Sequence, residues 1–200
     1  MNINSTALVL IGYQHDYFDE KGILHAVIEE SSRATGALQN TVDLLNAIGK
    51  NFAATISTPI IFTNDYSELK DPIGILKTIK EVGAFKQGSG GADVIPQLKG
   101  YDFIVEVPGK RGLNAFSNTD LDQVLRERGV TDIVLAGAVT SICIDSTGRA
   151  ASEKGYAVTM LSDCTTGRTT FEQDFYCEQV FPLYAQVLSK DGLLSAIQEF

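Results

Sequence analysis

Apolar residues along the chain fall into two kinds of block, which predict strands and helices in alternation. Short, nearly all-apolar runs are typical of strands buried on both faces of a sheet. Such runs cover residues 6–12, 59–65, 102–107, 132–138 and 156–163. Between them, apolar residues recur at three- and four-residue spacing, which is typical of one face of a helix. This helical spacing covers residues 31–50, 73–83, 119–128, 140–155 and 173–189.

The order of these blocks predicts the fold class. Strands that alternate with helices form parallel βαβ units. We therefore expect an α/β protein, a three-layer α/β/α sandwich with a mainly parallel, Rossmann-like sheet. A chain of 200 residues falls within the usual size of one domain, about 100–200 residues, so a single domain over residues 1–200 is expected.

Composition and charge narrow the class of partner. The chain is 44% hydrophobic and 20% charged, which suits a sizeable core. A formal net charge of −9 argues against nucleic acid as the main partner, because phosphate binding needs a basic surface. No apolar run approaches the roughly 20 residues that cross a bilayer. With three cysteines and no recognisable leader, we expect free thiols in the cytoplasm and no membrane partner.

Cys143 is the candidate nucleophile. It follows the strand predicted at 132–138 and lies in the first turn of the next helix. The helix dipole there favours a thiolate, and free backbone N–H groups can receive an oxyanion. The alternative is a small buried hydrophobic residue, as most free cysteines are. Cys164 and Cys177 are expected to be structural.

The same stretch also fits a different enzyme class. The sequence "CIDSTGR", residues 143–149, matches the C-x5-R pattern of cysteine phosphatases. That loop needs N–H groups wrapped around a phosphate and an arginine, here Arg149, to close the cradle. Asp145 would place a negative charge inside it, and Gly148 alone supplies backbone freedom. The pattern therefore disfavours a phosphatase.

Four segments carry a family resemblance. They are "ALVLIGYQHDYF" at 7–18, "GADVIPQL" at 91–98, the stretch from "VPGKRGLNAF" to "VLAG" at 107–137, and "AVTSICIDSTGRAASEKGYAVTMLSD" at 138–163. Their order and spacing resemble the isochorismatase-like cysteine hydrolases, which include nicotinamidases and N-carbamoylsarcosine amidases. The resemblance implies a cysteine-dependent hydrolase of a small molecule, acting at an amide-type C–N bond.

Residue roles follow from this resemblance. The family nucleophile corresponds to Cys143, and the family lysine that helps to hold it as a thiolate corresponds to Lys110. Family members carry a non-proline cis peptide before the helix, which would fall at Val139-Thr140. By the same analogy, backbone groups at Val139, Thr140 and Ile142 are expected to face the oxyanion.

Gly12 departs from the family pattern. It stands where the resemblance implies a catalytic aspartate, the general base that accepts the thiol proton. Such a base contributes roughly 10²–10⁴ in rate. The isochorismatase branch proper keeps this aspartate and lacks the cysteine, so vinyl-ether hydrolysis is disfavoured. Four residues are candidates to replace the base: Asp16, His15, Asp145 and Glu106.

A glycine at position 12 is also compatible with two arrangements that need no substitute base. In one, the vacated space accepts a bulkier substrate, or one whose own group or a bound water moves the proton. In the other, the protein is catalytically inactive and binds a small molecule or another protein through the same pocket. Retention of both Cys143 and Lys110 favours activity, since packing requires neither.

Aromatic residues on the surrounding segments predict the pocket. Tyr13, Gln14, Phe18 and Phe116 are expected to line it, and Tyr17, Tyr66 and Phe85 lie on the same segments. They suit a small, mostly uncharged substrate. The two histidines have no metal-ligand spacing, so neither a metal nor another cofactor is expected. Aromatic-rich insertions at 13–27 and 64–90 suggest subunit contacts and a homo-oligomer.

Overall fold

A central parallel sheet organises the computed structural model, which describes residues 1–198. Within that range six strands run in the order β3-β2-β1-β4-β5-β6, and every pairing is parallel. The strands are β1 Thr6–Ile11, β2 Ala54–Thr58, β3 Ile104–Glu106, β4 Asp132–Ala138, β5 Ala157–Thr166 and β6 Gln186–Leu188.

Helices cover both faces of this sheet. They are α1 His15–Phe18, α2 His25–Thr35, α3 Ala37–Ile48, α4 Gly74–Val82, α5 Pro96–Lys99, α6 Leu121–Glu127, α7 Asp145–Glu153, α8 Thr170–Phe175 and α9 Lys190–Gln198. A single turn of π-helix, Thr140–Ile144, precedes α7. We call this segment the nucleophile turn.

Side chains of β1 show why the sandwich has three layers. Ala7, Val9 and Ile11 point to one face and pack with residues of α6 and α7. Leu8 and Leu10 point to the other face and pack with residues of α3 and α9. Successive residues of a strand face opposite sides of its sheet, so a strand that is apolar throughout needs a helical layer on each side. The predicted α/β/α sandwich is confirmed.

The second strand lies earlier in the sequence than the pattern predicts. The apolar run predicts it at 59–65, whereas β2 is Ala54–Thr58 and pairs with Ala7–Ile11. Pro59 has no N–H for a central ladder. Beyond it, Ile60 and Phe62 make only isolated bridges within the described residues. The apolar character of this segment reflects burial against loops rather than a place in the sheet.

Two predicted helices are also interrupted. The helix expected over 31–50 is divided into α2 and α3 at Gly36, whose φ is +64°. The helix expected over 173–189 ends early, because α8 passes into a π-helical turn and then meets Pro182. The chain then adds β6 to the edge of the sheet. The three residues of this strand are too few to show a periodicity in the sequence.

The sheet topology determines where a site can form. Chain connections run from β1 towards β3 on one side and from β4 towards β6 on the other. Open parallel sheets bind ligands at such a switch point, beyond the carboxyl ends of the two strands. Gly12 follows β1 and Cys143 follows β4 at this place. Among the described residues, no helix is long and apolar enough to cross a membrane.

Candidate active site

Cys143 lies in the nucleophile turn beyond the end of β4. The residue is buried, with 5% of its surface exposed to solvent. Just before this turn the chain contains one non-proline cis peptide bond in the described residues, at Ala138-Val139. The resemblance places this bond at Val139-Thr140, so that expectation is wrong by one residue.

Lys110 brings a positive charge to the thiol. The lysine is 1% exposed, and its Nζ lies 3.5 Å from Cys143 Sγ. Nζ also donates to the carbonyl oxygen of Gly112 at 2.5 Å. A buried ammonium group requires polar partners, and here they are the Gly112 carbonyl oxygen and the Cys143 sulfur. The structure therefore places a side-chain cation directly beside the candidate nucleophile.

Helix α8 holds the nucleophile turn from the side. The Thr140 hydroxyl donates to Gln173 Oε1 at 2.5 Å, and the Ser141 hydroxyl donates to Glu172 Oε1 at 2.5 Å. Arg168 donates to the other oxygen of Glu172 at 2.5 Å. Both Glu172 and Gln173 are buried. These bonds fix the two residues that precede Ile142 and Cys143.

The sequence pattern does not reveal this support. Its one signal is the T-x-x-E pattern at 169–172, which is typical of a helix N-terminus. Thr169 does cap α8, with its side chain accepting from the Glu172 backbone N–H. The pattern predicts the helix start, but not that Glu172 reaches Ser141, because that contact spans 31 residues of chain.

Backbone N–H groups near Cys143 are partly engaged. The N–H groups of Ile142 and Ile144 both donate to the Val139 carbonyl oxygen, at 3.0 and 3.2 Å. The expectation that Ile142 serves an oxyanion therefore fails in this arrangement. The N–H groups of Val139, Thr140 and Cys143 remain the candidates for this role.

A narrow cavity adjoins the thiol. Its volume is about 10 Å³, enough for roughly one water molecule. The cavity is lined by Ile11, Gly12, Tyr17, Ile60, Ile75, Ile79, Lys110, Leu113, Ala138, Ile142 and Cys143. Aliphatic side chains form most of the wall. Tyr17, Lys110 and Cys143 are the polar side chains among these lining residues.

The four residues expected to line the pocket lie elsewhere. Tyr13 is buried on the opposite face of the sheet, where its hydroxyl group contacts Thr41. Phe18 stacks on Tyr13, and the Gln14 amide donates to backbone carbonyl groups. Phe116 packs against Tyr156 in the core. None of the four lines the described cavity. The sequence places these residues on segments near the site, but it does not show which way each side chain points.

Asp16 and His15 are committed to other contacts. Asp16 Oδ2 accepts the Phe85 backbone N–H at 2.6 Å, which fixes the carboxylate as a loop anchor. His15 Nδ1 lies 3.2 Å from Asp19 Oδ2. Both side chains line a separate surface pocket rather than the cavity at Cys143.

Asp145 and Glu106 also lie outside the cavity. Asp145 pairs with Arg149 at 2.9 Å on the outer face of α7, and exposed Glu106 lies on edge strand β3. Of the candidate substitute bases, none lines the cavity. The segment from Cys143 to Arg149 is helical rather than wrapped around an anion site, which also argues against the phosphatase alternative.

An outer groove adjoins the cavity. Its volume is about 960 Å³, and it shares Ile75, Leu113 and Ile142 with the cavity wall. Its other lining residues are Ser141, Asp145, Ser146, Arg149, Arg168, Thr169, Phe171, Glu172, Phe175 and Tyr176. The shared residues place this groove next to the cavity at Cys143.

The two other cysteines have different surroundings. Burial, reinforced by the Asp163 charge, raises the pKa of Cys164 to about 12. Burial likewise raises the pKa of Cys177 to about 12, with Asp174 and Glu178 adding to the effect. Both thiols are therefore protonated at neutral pH. Among the described residues, no group of three or more His, Cys, Asp or Glu side chains is arranged to hold a metal ion.

Comparisons with known proteins agree with this architecture. A family model described as the isochorismatase domain matches residues 6–192. The isochorismatase family protein YecD of Escherichia coli O157:H7 is 27% identical, over 98% of this chain and 98% of its own length. Ureidoacrylate amidohydrolase RutB of Agrobacterium fabrum is 27% identical over 81% of this chain and 76% of its own.

A solved structure gives the same result. An isochorismatase family protein from Burkholderia thailandensis superimposes with a TM-score of 0.78 and is 28% identical. The match covers 98% of this chain and 96% of that one.

Proposed function

The chain belongs to the isochorismatase family, and on that premise we propose that it is a cysteine-dependent hydrolase of a small amide-type C–N bond. Its named relative RutB is an amidohydrolase, which supports this bond type. We also propose that this protein is soluble and cytoplasmic. The single observation that carries it is the buried contact between Lys110 Nζ and Cys143 Sγ at 3.5 Å.

The proposed reaction begins at the sulfur. The Cys143 thiolate attacks the carbonyl carbon, and a C–S bond forms as the carbonyl π electrons move to oxygen. Backbone N–H groups at the start of the nucleophile turn stabilise this oxyanion. Collapse of the intermediate breaks the C–N bond and leaves a thioester. Water then cleaves the C–S bond, which releases the acid and regenerates the thiolate.

Lys110 takes the proton-transfer role in this scheme. Its ammonium group has three N–H donors, and the described contacts use two of them, on Gly112 and Cys143. In this scheme the remaining N–H donates to the nitrogen atom bonded to the carbon that sulfur attacks. Lys110 gives this proton to the leaving nitrogen and regains one from the attacking water. No carboxylate lines the described cavity, so turnover is expected to be slow relative to an enzyme with a dedicated base.

The test combines turnover with detection of the intermediate. A panel of small amides, including nicotinamide and ureidoacrylate, is incubated with the protein, and ammonia or amine release is measured. Mass spectrometry of the intact protein detects an acyl group on Cys143. Cys143→Ser and Lys110→Met should each abolish release and acylation, whereas the control Cys177→Ser should retain both. Release that survives Cys143→Ser would contradict the proposal.

A second function, ligand binding without turnover, is favoured by Gly12 and by the narrow cavity. In this case the protein binds a small molecule next to Cys143 and releases no product. Calorimetric binding that survives Cys143→Ala, together with no acylation across the panel, would select this alternative.

A further inference from the structure

Tyr17 lies against the space left by the glycine at position 12. It belongs to α1, immediately after β1, and is 3% exposed. Its Cδ2 lies 3.6 Å from the place that a Cβ at Gly12 would take. The ring packs against Phe85 at a centroid distance of 5.0 Å and forms part of the cavity wall beside Cys143.

The Tyr17 hydroxyl has no partner among residues 1–198. Other buried tyrosines do: the Tyr13 hydroxyl donates to the Cys164 carbonyl at 3.0 Å, and the Tyr66 hydroxyl donates to the Ala84 carbonyl at 2.7 Å. Every fully buried side-chain polar atom in the described part of the chain has a hydrogen-bond partner. The Tyr17 oxygen makes no such bond, so it is not fully buried. Tyr17 is one of the residues that line the cavity at Cys143.

The hydroxyl group retains its proton. Burial raises the pKa of Tyr17 well above its ordinary value, and the nearby charges of Cys143 and Asp16 raise it further. A tyrosine in this state is a neutral hydrogen-bond donor and cannot replace an aspartate as a base. Lys110, the other polar neighbour of the thiol in this wall, is also a donor.

We infer that Tyr17 is a substrate-binding residue whose hydroxyl donates to a carbonyl oxygen, and that the ligand is a small acyl compound with an aliphatic substituent. Two hydrogen-bond donors next to the nucleophile require a hydrogen-bond acceptor on the ligand. The aliphatic wall of the cavity disfavours a charged group on that ligand. The inference rests on the proposed function only in taking Cys143 as the atom that attacks.

The test compares two small electrophiles of similar size. Bromoacetone carries a carbonyl oxygen and allyl bromide does not. In both reactions the Cys143 sulfur forms a bond to the CH₂ carbon and bromide leaves. The rate of modification is followed by mass spectrometry of the peptide that contains Cys143. Tyr17→Phe should lower the rate with bromoacetone about 3- to 10-fold, as expected for one lost hydrogen bond, and leave the allyl bromide rate within about twofold.

Tyr13→Phe is the matched control. It removes a buried hydroxyl on the other face of the sheet, so it should change neither rate, but it should lower Tm by roughly 2–6 °C. Tyr17→Phe breaks no hydrogen bond within the described residues and should leave Tm unchanged or slightly raised. Equal effects of Tyr17→Phe on both electrophiles, or no effect on either, would overturn the inference.

The same experiment separates this inference from the hydrolase proposal. A selective loss with bromoacetone, combined with no turnover of any amide, would retain Tyr17 as a binding residue and reject the hydrolase. Turnover of amides that is unaffected by Tyr17→Phe would retain the hydrolase and reject Tyr17 as a binding residue. A Cys143 that reacts with neither electrophile would contradict both.

Discussion

The carbonyl oxygen of Ala138 lies 2.8 Å from the position that a Cβ atom on Gly12 would occupy. Gly12 itself has a φ of +73°, a conformation that side chains other than hydrogen adopt only at a cost. The ends of β1 and β4 thus approach each other where the family resemblance implies a catalytic carboxylate. Gly12 therefore has two effects on the site. It lacks a carboxylate, and it allows a close approach of Ala138 that a larger residue would hinder.

Gly12→Asp is therefore expected to destabilise the protein rather than to restore a base. The positive φ alone costs about 1–3 kcal/mol, and the contact with Ala138 adds to this. Chemical denaturation measures the change in the free energy of unfolding. Gly12→Ala is the control, since it carries the same Cβ without a carboxylate. Amidase activity gained by the aspartate variant at unchanged stability would show that the backbone accommodates the side chain.

Alkylation at neutral pH should select one cysteine of the three. The pKa values of Cys164 and Cys177 are raised to about 12, so their thiolates are scarce at pH 7 and increase as the pH rises towards that value. Cys143, beside Lys110, is expected to be modified first. Peptide mapping after brief iodoacetamide treatment at pH 7 and pH 9 gives the order. Modification of Cys177 before Cys143 at pH 7 would contradict the thiolate assignment.

Gln173→Leu should loosen the nucleophile turn. The change removes the acceptor of the Thr140 hydroxyl and leaves a buried polar group without its partner, at a cost of about 1–3 kcal/mol. We expect lower stability and slower alkylation of Cys143. Gln123→Leu is the matched control, because within residues 1–198 the Gln123 side chain makes only an exposed contact with Glu127. Its effect should stay within about 0.5 kcal/mol. An unchanged alkylation rate in Gln173→Leu would show that the contact with α8 does not position the thiol.

We also predict that the protein is a homo-oligomer in solution. Large apolar side chains are exposed, among them Phe171 at 78%, which lines the outer groove, and Ile73 at 84%. Phe171 stacks on Phe175, which is also exposed. Light scattering during size-exclusion chromatography measures the mass, and Phe171→Ser should shift it towards the monomer. A monomeric mass of the unaltered protein at all concentrations would refute the prediction.

The sequence predicts the features that depend on local periodicity. The apolar run at 132–138 coincides with β4, Asp132–Ala138, because nearly every position of a strand covered on both faces is apolar. The predicted α/β/α sandwich and the predicted family are also confirmed. Both predictions rest on the order of apolar runs and motifs, which can be read directly from the sequence. By contrast, β6 is not predicted, since three residues at an edge acquire strand structure only from their neighbour β5.

The sequence by itself determined the layers of this protein, the position of Cys143 after a central strand and the absence of an acid at Gly12. Only the tertiary structure decided that Tyr17 rather than Tyr13 faces the cavity, that Glu172 and Gln173 hold the nucleophile turn, and that Asp16 anchors a loop. The physical reason is that burial follows a period along the chain, whereas the direction of a side chain after a strand depends on loops that pack from distant segments.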